Sequence, residues 1–385
     1  MKTRFKIFFF TQYFSIGLLG PYFALFLIEK EYSGSQIGLM LGVLPVAGLV
    51  FQPVWSLLSD ILNRRRILLV IGSIGLVIAS IGLGFSNTFA VTFLWGILFS
   101  AMRAPISPIS TAIALDYLED QGESETYGLL RLWGSLGFAV SSLLMAGFFL
   151  DDIRVYFPWF AAGIFFILAS LSFLLPERAV PYTYSGFKGL RYLAKNAKFI
   201  LFLAASIFIG GTQGIYNNYL TLFLQSLDTA SWLIGAIVSL QALIEIPMMM
   251  VAPYLIQRFS LQWLIVAGAV AFPVRWLLFF FIEEPAWIIP LQLLHGVGVI
   301  SFFVVAVSYI DKLINPKWRA TGQALYSTAM MGIGSGLGVF FAGIIIERYS
   351  VRSVWILSLV LGLIGLGLLL LDLYRDKSPA DPVER

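Results

Sequence analysis

The stretch ILLVIGSIGLVIASIGLGFS, Ile67 to Ser86, runs for twenty residues without a charge, and Arg64, Arg65 and Arg66 stand directly before it. A helix needs about 20 mostly apolar residues to cross the hydrocarbon core of a bilayer. The stretch is long enough to do so, and the three arginines mark the end that stays in the cytoplasm. Eleven similar runs lie around it. With this one the expected spans, helices 1 to 12, fall near 5–28, 37–58, 67–86, 90–114, 127–150, 156–175, 198–224, 231–254, 263–282, 286–310, 321–346 and 353–373. The expected fold is an all-α integral membrane protein of twelve transmembrane helices in two six-helix halves. Residues 1–175 form the first half and 198–373 the second, with a cytoplasmic central loop at 176–197 and a cytoplasmic tail at 374–385.

Composition agrees with the spans. Of 385 residues, 59% are apolar in the set AVILMFWYC, a further 35 are glycine, and 12% are charged. Soluble domains carry about 45–50% apolar residues with glycine included, and about 25% charge. Lipid is therefore the solvent for most of this chain, which excludes a soluble enzyme, a disordered chain and a nucleic-acid binder. The net charge of +4 is the residue of cytoplasmic Lys and Arg. There is no cysteine, so disulfides, thiolate metal sites and a cysteine nucleophile are excluded, and no cofactor is expected.

With the N-terminus inside, eighteen Lys and Arg fall on the cytoplasmic side, against Lys30, Arg154, Arg348 and Arg352 outside. That asymmetry predicts both termini in the cytoplasm of a multi-pass plasma-membrane protein, the inner membrane of a bacterial cell. The opening Met1-Lys2-Thr3-Arg4-Phe5-Lys6 leads into an apolar run too long for a signal peptide, so a retained first helix is expected.

The halves echo each other. Tyr22-x-x-Leu25-Phe26-Leu27 returns as Tyr219-x-x-Leu222-Phe223-Leu224, and Ile37-Gly38 as Ile234-Gly235, both at an offset of 197; Ala146-Gly147 returns as Ala342-Gly343 at 196. Six spans per half is an even number, so a duplication relates the halves by an axis along the membrane normal. Such carriers bind solute at the midplane between their halves. Gly134 and Gly137, and Gly332, Gly334, Gly336 and Gly338, are read as close helix packing.

Ionisable groups within spans are costly and usually face a cavity. Arg103, Glu245, Arg275 and His295 lie well inside helices 4, 8, 9 and 10, while Asp116 ends helix 4 and Arg131 sits a turn into helix 5. Glu245 is either a proton site or the partner of Arg275 in a structural pair. His295 either titrates or only hydrogen-bonds. Arg103, beside Pro105 and Pro108, is structural or binding, and Asp116 and Arg131 read as a boundary salt bridge. Gln12, Gln213, Asn217, Asn218, Gln241 and Gln292 recur mid-span and together suit a cavity that hydrogen-bonds a polar solute. Gln241 with Glu245, and Gln292 with His295, share helix faces.

The loop after helix 2, Ser56-Leu57-Leu58-Ser59-Asp60-Ile61-Leu62-Asn63-Arg64-Arg65-Arg66, resembles the major facilitator signature G-x-x-x-D-(R/K)-x-G-(R/K)-x-(R/K)-(R/K). Asp60, Arg64 and Arg66 fit it, while Ser56, Ile61 and Asn63 depart from it. The resemblance implies a gating role for Asp60 with neighbouring cations. Over most of its length the chain resembles the lactose permease and phenylpropionate transporter branch of proton symporters. Tyr127-Gly128-Leu129-Leu130-Arg131-Leu132-Trp133-Gly134-Ser135-Leu136-Gly137-Phe138 is similar to that branch's helix 5, which implies substrate contact for Arg131 and Phe138, with Asp116 as the helix 4 acid. Arg275, His295 and Glu245 are similarly placed to the branch's proton-coupling groups, with Glu245 about one turn displaced. Gly298 stands where lactose permease has its proton-carrying glutamate.

The resulting expectation is a monomeric alternating-access carrier of a small organic solute (sugar, nucleoside or aromatic acid), with a proton as co-substrate and the bilayer as surroundings. A uniporter or drug-efflux carrier on the same fold is the first alternative. A membrane-embedded enzyme lacks H-E-x-x-H and G-x-S-x-G motifs, and the scattered midplane charges disfavour a channel.

Overall fold

The computed structural model describes residues 1–62, 64–121, 127–149, 156–177, 192–315 and 318–377. Among the described residues every regular element is helical. Among the described residues nine helices are long and apolar enough to span a membrane; a tenth, helix 1, passes as a pair bent by 46° between Lys2–Gly20 and Tyr22–Glu29, and Leu130–Ala146 and Phe157–Phe173 are shorter apolar helices. Together these are the twelve expected spans, with ends within a few residues of those read from hydropathy. Helices satisfy every backbone group internally, which lipid demands. Side-chain caps close several ends: Asn196 Oδ1 accepts from Phe199 N at 3.1 Å and Ser260 Oγ from Trp263 N at 3.3 Å.

Besides the bent helix 1, three spans depart from regular helix. Helix 4 is two pieces, Phe89–Arg103 and Ile106–Asp120. Pro105 has no N–H to give Ala101 O, four residues back. The Trp55 indole N–H from helix 2 takes that carbonyl instead, at 2.7 Å. Helix 10 carries a π-helical turn at Ile300–Val305, and helix 11 another at Thr328–Gly334.

Packing repeats between the halves. Helix 1 packs on 5 and 6, helix 3 on 4 and 6, and helix 2 on 4; shifted by six, helix 7 packs on 11 and 12, helix 9 on 10 and 12, and helix 8 on 10. The halves meet through helices 2 and 11, 5 and 8, and 1 and 7. These contacts gather toward the end of the bundle opposite the termini, here the distal end. A Cβ on Gly343 would lie 2.4 Å from Gly34 O and 2.5 Å from Gly38 Cα, and one on Gly336 2.5 Å from Gly42 O. Only glycine lets the two backbones approach this closely. Glu347 closes the seam's distal tip, accepting from Ser35 N at 2.6 Å. On the symmetry-related side, a Cβ on Gly235 would lie 2.7 Å from Ala146 Cβ, and Ser239 Oγ donates to Ala139 O at 2.8 Å.

Candidate functional site

Between the halves lies a cavity of about 400 Å³. Helix 1 contributes Ile16 and Phe23 to its wall, helix 2 Leu41 and Pro45, helix 4 Ser100 and Arg103, and helix 5 Phe138; from the second half come Tyr216, Asn217, Asn218 and Thr221 of helix 7, Gln241 of helix 8 and Ser335 of helix 11. Of the expected substrate residues, Arg103, Phe138, Asn217 and Gln241 therefore meet in one space. Asn217 and Gln241 touch across helices 7 and 8, with Gln241 Nε2 3.4 Å from Asn217 Oδ1.

The other expected substrate residues lie outside the lining of this cavity. Gln12 is buried and its Oε1 accepts from Ser110 Oγ at 3.1 Å. Gln213 is also buried. Arg131 stacks on the ring of Tyr13, its Cζ 3.7 Å from the ring centroid. Asp116 forms an ion pair with Arg65 at 2.5 Å. The helix 2–3 loop is anchored a second time by Arg66, whose Nε lies 3.2 Å from Glu177 Oε2. Arg64 is exposed, and the side chain of Asp60 falls outside the described residues.

Behind the cavity wall of the second half the remaining candidates form a chain of contacts. Tyr216 lines the cavity, and its hydroxyl lies 3.0 Å from Gln292 Nε2. Gln292 Oε1 accepts from Arg275 Nη2 at 2.8 Å, Arg275 Nη1 meets His295 Nδ1 at 3.2 Å, and His295 Nε2 meets Glu245 Oε1 at 3.4 Å. Arg275 is wholly buried, with its guanidinium over Tyr216 at 4.1 Å and Trp276 at 4.8 Å. Rings that face a guanidinium stabilise it electrostatically, most strongly where water is excluded.

The donors fix the protons. Guanidinium N–H groups only donate, so His295 Nδ1 accepts and the ring's one hydrogen sits on Nε2, directed at Glu245. In this arrangement His295 bridges Arg275 and Glu245, and the Glu245 side chain is 30% exposed beside a histidine at 1%. Arg275 reaches Glu245 through that imidazole. Gly298 leaves no room for an acid, because a Cβ there would stand 2.5 Å from Phe272 Cζ.

Gln292 joins two of these groups, Tyr216 and Arg275. Its replacement by leucine removes the amide that holds Tyr216 and Arg275. Hydrogen bonds to a charged group contribute about 1.5–3 kcal/mol each, so the expected result is a clear fall in the melting midpoint of purified protein. An unchanged midpoint would show that Arg275 does not depend on Gln292.

Sequence reasoning alone did not find Tyr13, Tyr216 or Trp55. Each has one polar atom on an aromatic body, and the first two stand next to the mid-span amides Gln12 and Asn217, which was the available signal.

Twelve spans, halves with matching packing and a partly polar cavity between them describe a carrier architecture. The profile of the MFS_1 like family matches residues 2–357. The chain belongs to that family. It is therefore a multi-pass membrane transporter of the major facilitator type. Over 99% of its length it is 27% identical to the maltose permease of Geobacillus stearothermophilus, covering 96% of that protein. It is 25% identical to the probable 3-phenylpropionic acid transporter of Escherichia coli, over 91% of this chain and 93% of that one. The crystal structure of the nucleoside transporter NupG superposes with a TM-score of 0.86 at 19% identity, covering 98% of this chain and 99% of that one, and supports the fold.

Proposed function

We propose that this chain moves a small organic solute (a sugar, nucleoside or aromatic acid) across the plasma membrane by alternating access, together with a proton. The observation that carries the reading is the cavity shared by both halves, with amides and an arginine on its walls and glycine seams beside it. The seams let the halves lie close at the distal end, which the Lys and Arg distribution makes extracellular, with both termini cytoplasmic. Residues 1–175 and 198–373 are the two bodies that rock, and one copy of the chain encloses the whole cavity, which suits a monomer. Arg103, Phe138, Asn217 and Gln241 hold the solute, and Arg131 with Tyr13 and Asp116 with Arg65 set the N-terminal wall. Gln12 and Gln213 support the wall from behind. Glu245 exchanges the proton, with His295 and Arg275 tuning it. Asp60, Arg64 and Arg66 belong to the cytoplasmic gate. Maltose, phenylpropionate and nucleoside carriers among the relatives and structural neighbours delimit the substrate classes to be tried.

The test is uptake of a panel of sugars, nucleosides and aromatic acids into proteoliposomes, with and without a pH gradient. A saturable substrate whose accumulation follows the gradient is the expected result. Arg131→Ala should lower its uptake about 2- to 30-fold, the range for losing one cation–π contact on Tyr13, with the purified variant still monodisperse. Absence of saturable uptake across the panel, or a gradient without effect, would reject the solute or the proton part of the reading respectively.

A further inference from the structure

Arg103 is a cation with space in front of it and nothing to pair with. It stands mid-span at the last turn before the break in helix 4, exposed to the central cavity. It is the one Asp, Glu, Lys, Arg or His among the described residues of the cavity wall. Among the described residues no side chain or carbonyl hydrogen-bonds to it and no carboxylate pairs with it. Near it lies the Tyr13 phenol, whose ring is already covered by the Arg131 guanidinium.

A structural reason for the charge would be the broken helix, whose freed carbonyl invites a donor. That position is taken. Ala101 O accepts from the Trp55 indole N–H, and Ser100 O from the Ala104 N–H at 3.1 Å. Arg103 is not needed to hold the break. The other mid-span arginine shows what satisfaction looks like: Arg275 has Gln292, His295 and an aromatic surround. Arg103 has only the cavity. While the cavity is open, water can hydrate the guanidinium. When the halves close around a solute that water is displaced, and a buried cation without a counter-charge is strongly unfavourable. The missing counter-charge has to arrive with the cargo.

Resting on the reading of this cavity as the solute site, we infer that the transported solute is an organic monocarboxylate whose carboxylate is received by Arg103. A guanidinium presents paired N–H donors that match a carboxylate bidentately. One cation matches one negative charge. A phosphate monoester carries about −1.5 to −2 at pH 7 and is met by clusters of arginine. The rest of the wall fits the rest of such a molecule: Phe23, Phe99 and Phe138 for an apolar or aromatic body, and Asn217 with Gln241 for a polar group at its far end. A neutral sugar or nucleoside would leave the guanidinium unpaired in the closed state.

The experiment uses the full chain in lipid nanodiscs at pH 7, with binding read by calorimetry and uptake read in proteoliposomes. Matched pairs isolate the charge: phenylacetate with phenylacetamide, and gluconate with glucose. Maltose, uridine and glucose 6-phosphate complete the panel. At least one carboxylate should bind at least about tenfold more tightly than its neutral partner. Arg103→Gln should remove that preference, and Arg103→Lys should keep part of it. Acid and neutral partner binding alike in the wild type would overturn the inference without recourse to a variant. Glucose 6-phosphate binding above every carboxylate would also overturn it, as would carboxylate affinity unchanged in Arg103→Gln. Saturable uptake of maltose or uridine that Arg103→Gln leaves unaltered would reject the carboxylate and leave the carrier standing. No saturable binding or uptake of any compound would reject both.

Discussion

Exchanging Glu245 for glutamine should leave solute exchange between the two sides intact and abolish accumulation driven by a pH gradient. Glutamine keeps the size of the side chain and a carbonyl that His295 Nε2 can reach, at the 3.4 Å now spanned to the carboxylate. It cannot take up or release a proton. The conformational cycle therefore continues with its proton site frozen in the uncharged form. Under the proposed coupling the gradient enters the cycle only through the proton on Glu245. Arg275 acts here through the imidazole rather than by touching the acid. Counterflow and gradient-driven uptake measured on the same vesicles separate the two properties. Persistent concentration of solute by the Gln variant would leave Glu245 as a structural partner of His295 and move coupling elsewhere.

The second large effect is expected at the seam of helices 2 and 11. A leucine in place of Gly343 has nowhere to go, since even its Cβ would stand 2.5 Å from Gly38 Cα. The side chain must separate the halves at their distal end. Overpacking of this kind costs about 1–3 kcal/mol, which is a shift of about 5- to 150-fold against the closed arrangement. The chain has no cysteine, so a single Ser335→Cys reporter in the cavity reports without background. A membrane-impermeant thiol reagent added outside should label it faster in the Gly343→Leu background by a factor in that range, and net uptake should fall with it. Labelling and uptake both unchanged would mean that the seam does not need to close tightly during the cycle.

Much of this architecture was legible in hydropathy because lipid imposes a simple rule: twenty apolar residues, or no crossing. Ile67–Ser86 needed nothing more. Irregularities inside spans followed no such rule. Pro105 announced trouble in helix 4, but a proline inside a span either kinks it or breaks it, and the outcome depended on Trp55, half a hundred residues away in sequence. The π turns of helices 10 and 11 carry no proline at all. At the site, the sequence singled out charged and amide residues as unusual but gave no means of pairing them. Asp116 and Arg131 looked like partners because they flank one loop, yet Asp116 is met by Arg65 and Arg131 by the face of Tyr13. Glycines 332 to 338 were read as packing residues, and they are: Gly336 lies against Gly42 and Gly338 against Gly211. That the first of these contacts crosses between the halves is a tertiary fact that spacing cannot contain.

The break in helix 4 occupies residues 104 and 105. Moved along the chain by the repeat offset of 197, it lands inside Ile300–Val305, the π turn of helix 10. The two irregularities differ in kind, one a proline break sealed by an indole and the other a wide turn without proline, yet they occupy the same station in the two halves. A copied gene would transmit a weak joint along with the strong ones. On that view the irregularity is older than the two-half protein: the six-helix unit that was copied already departed from regular helix there, and each half keeps the departure by its own chemistry.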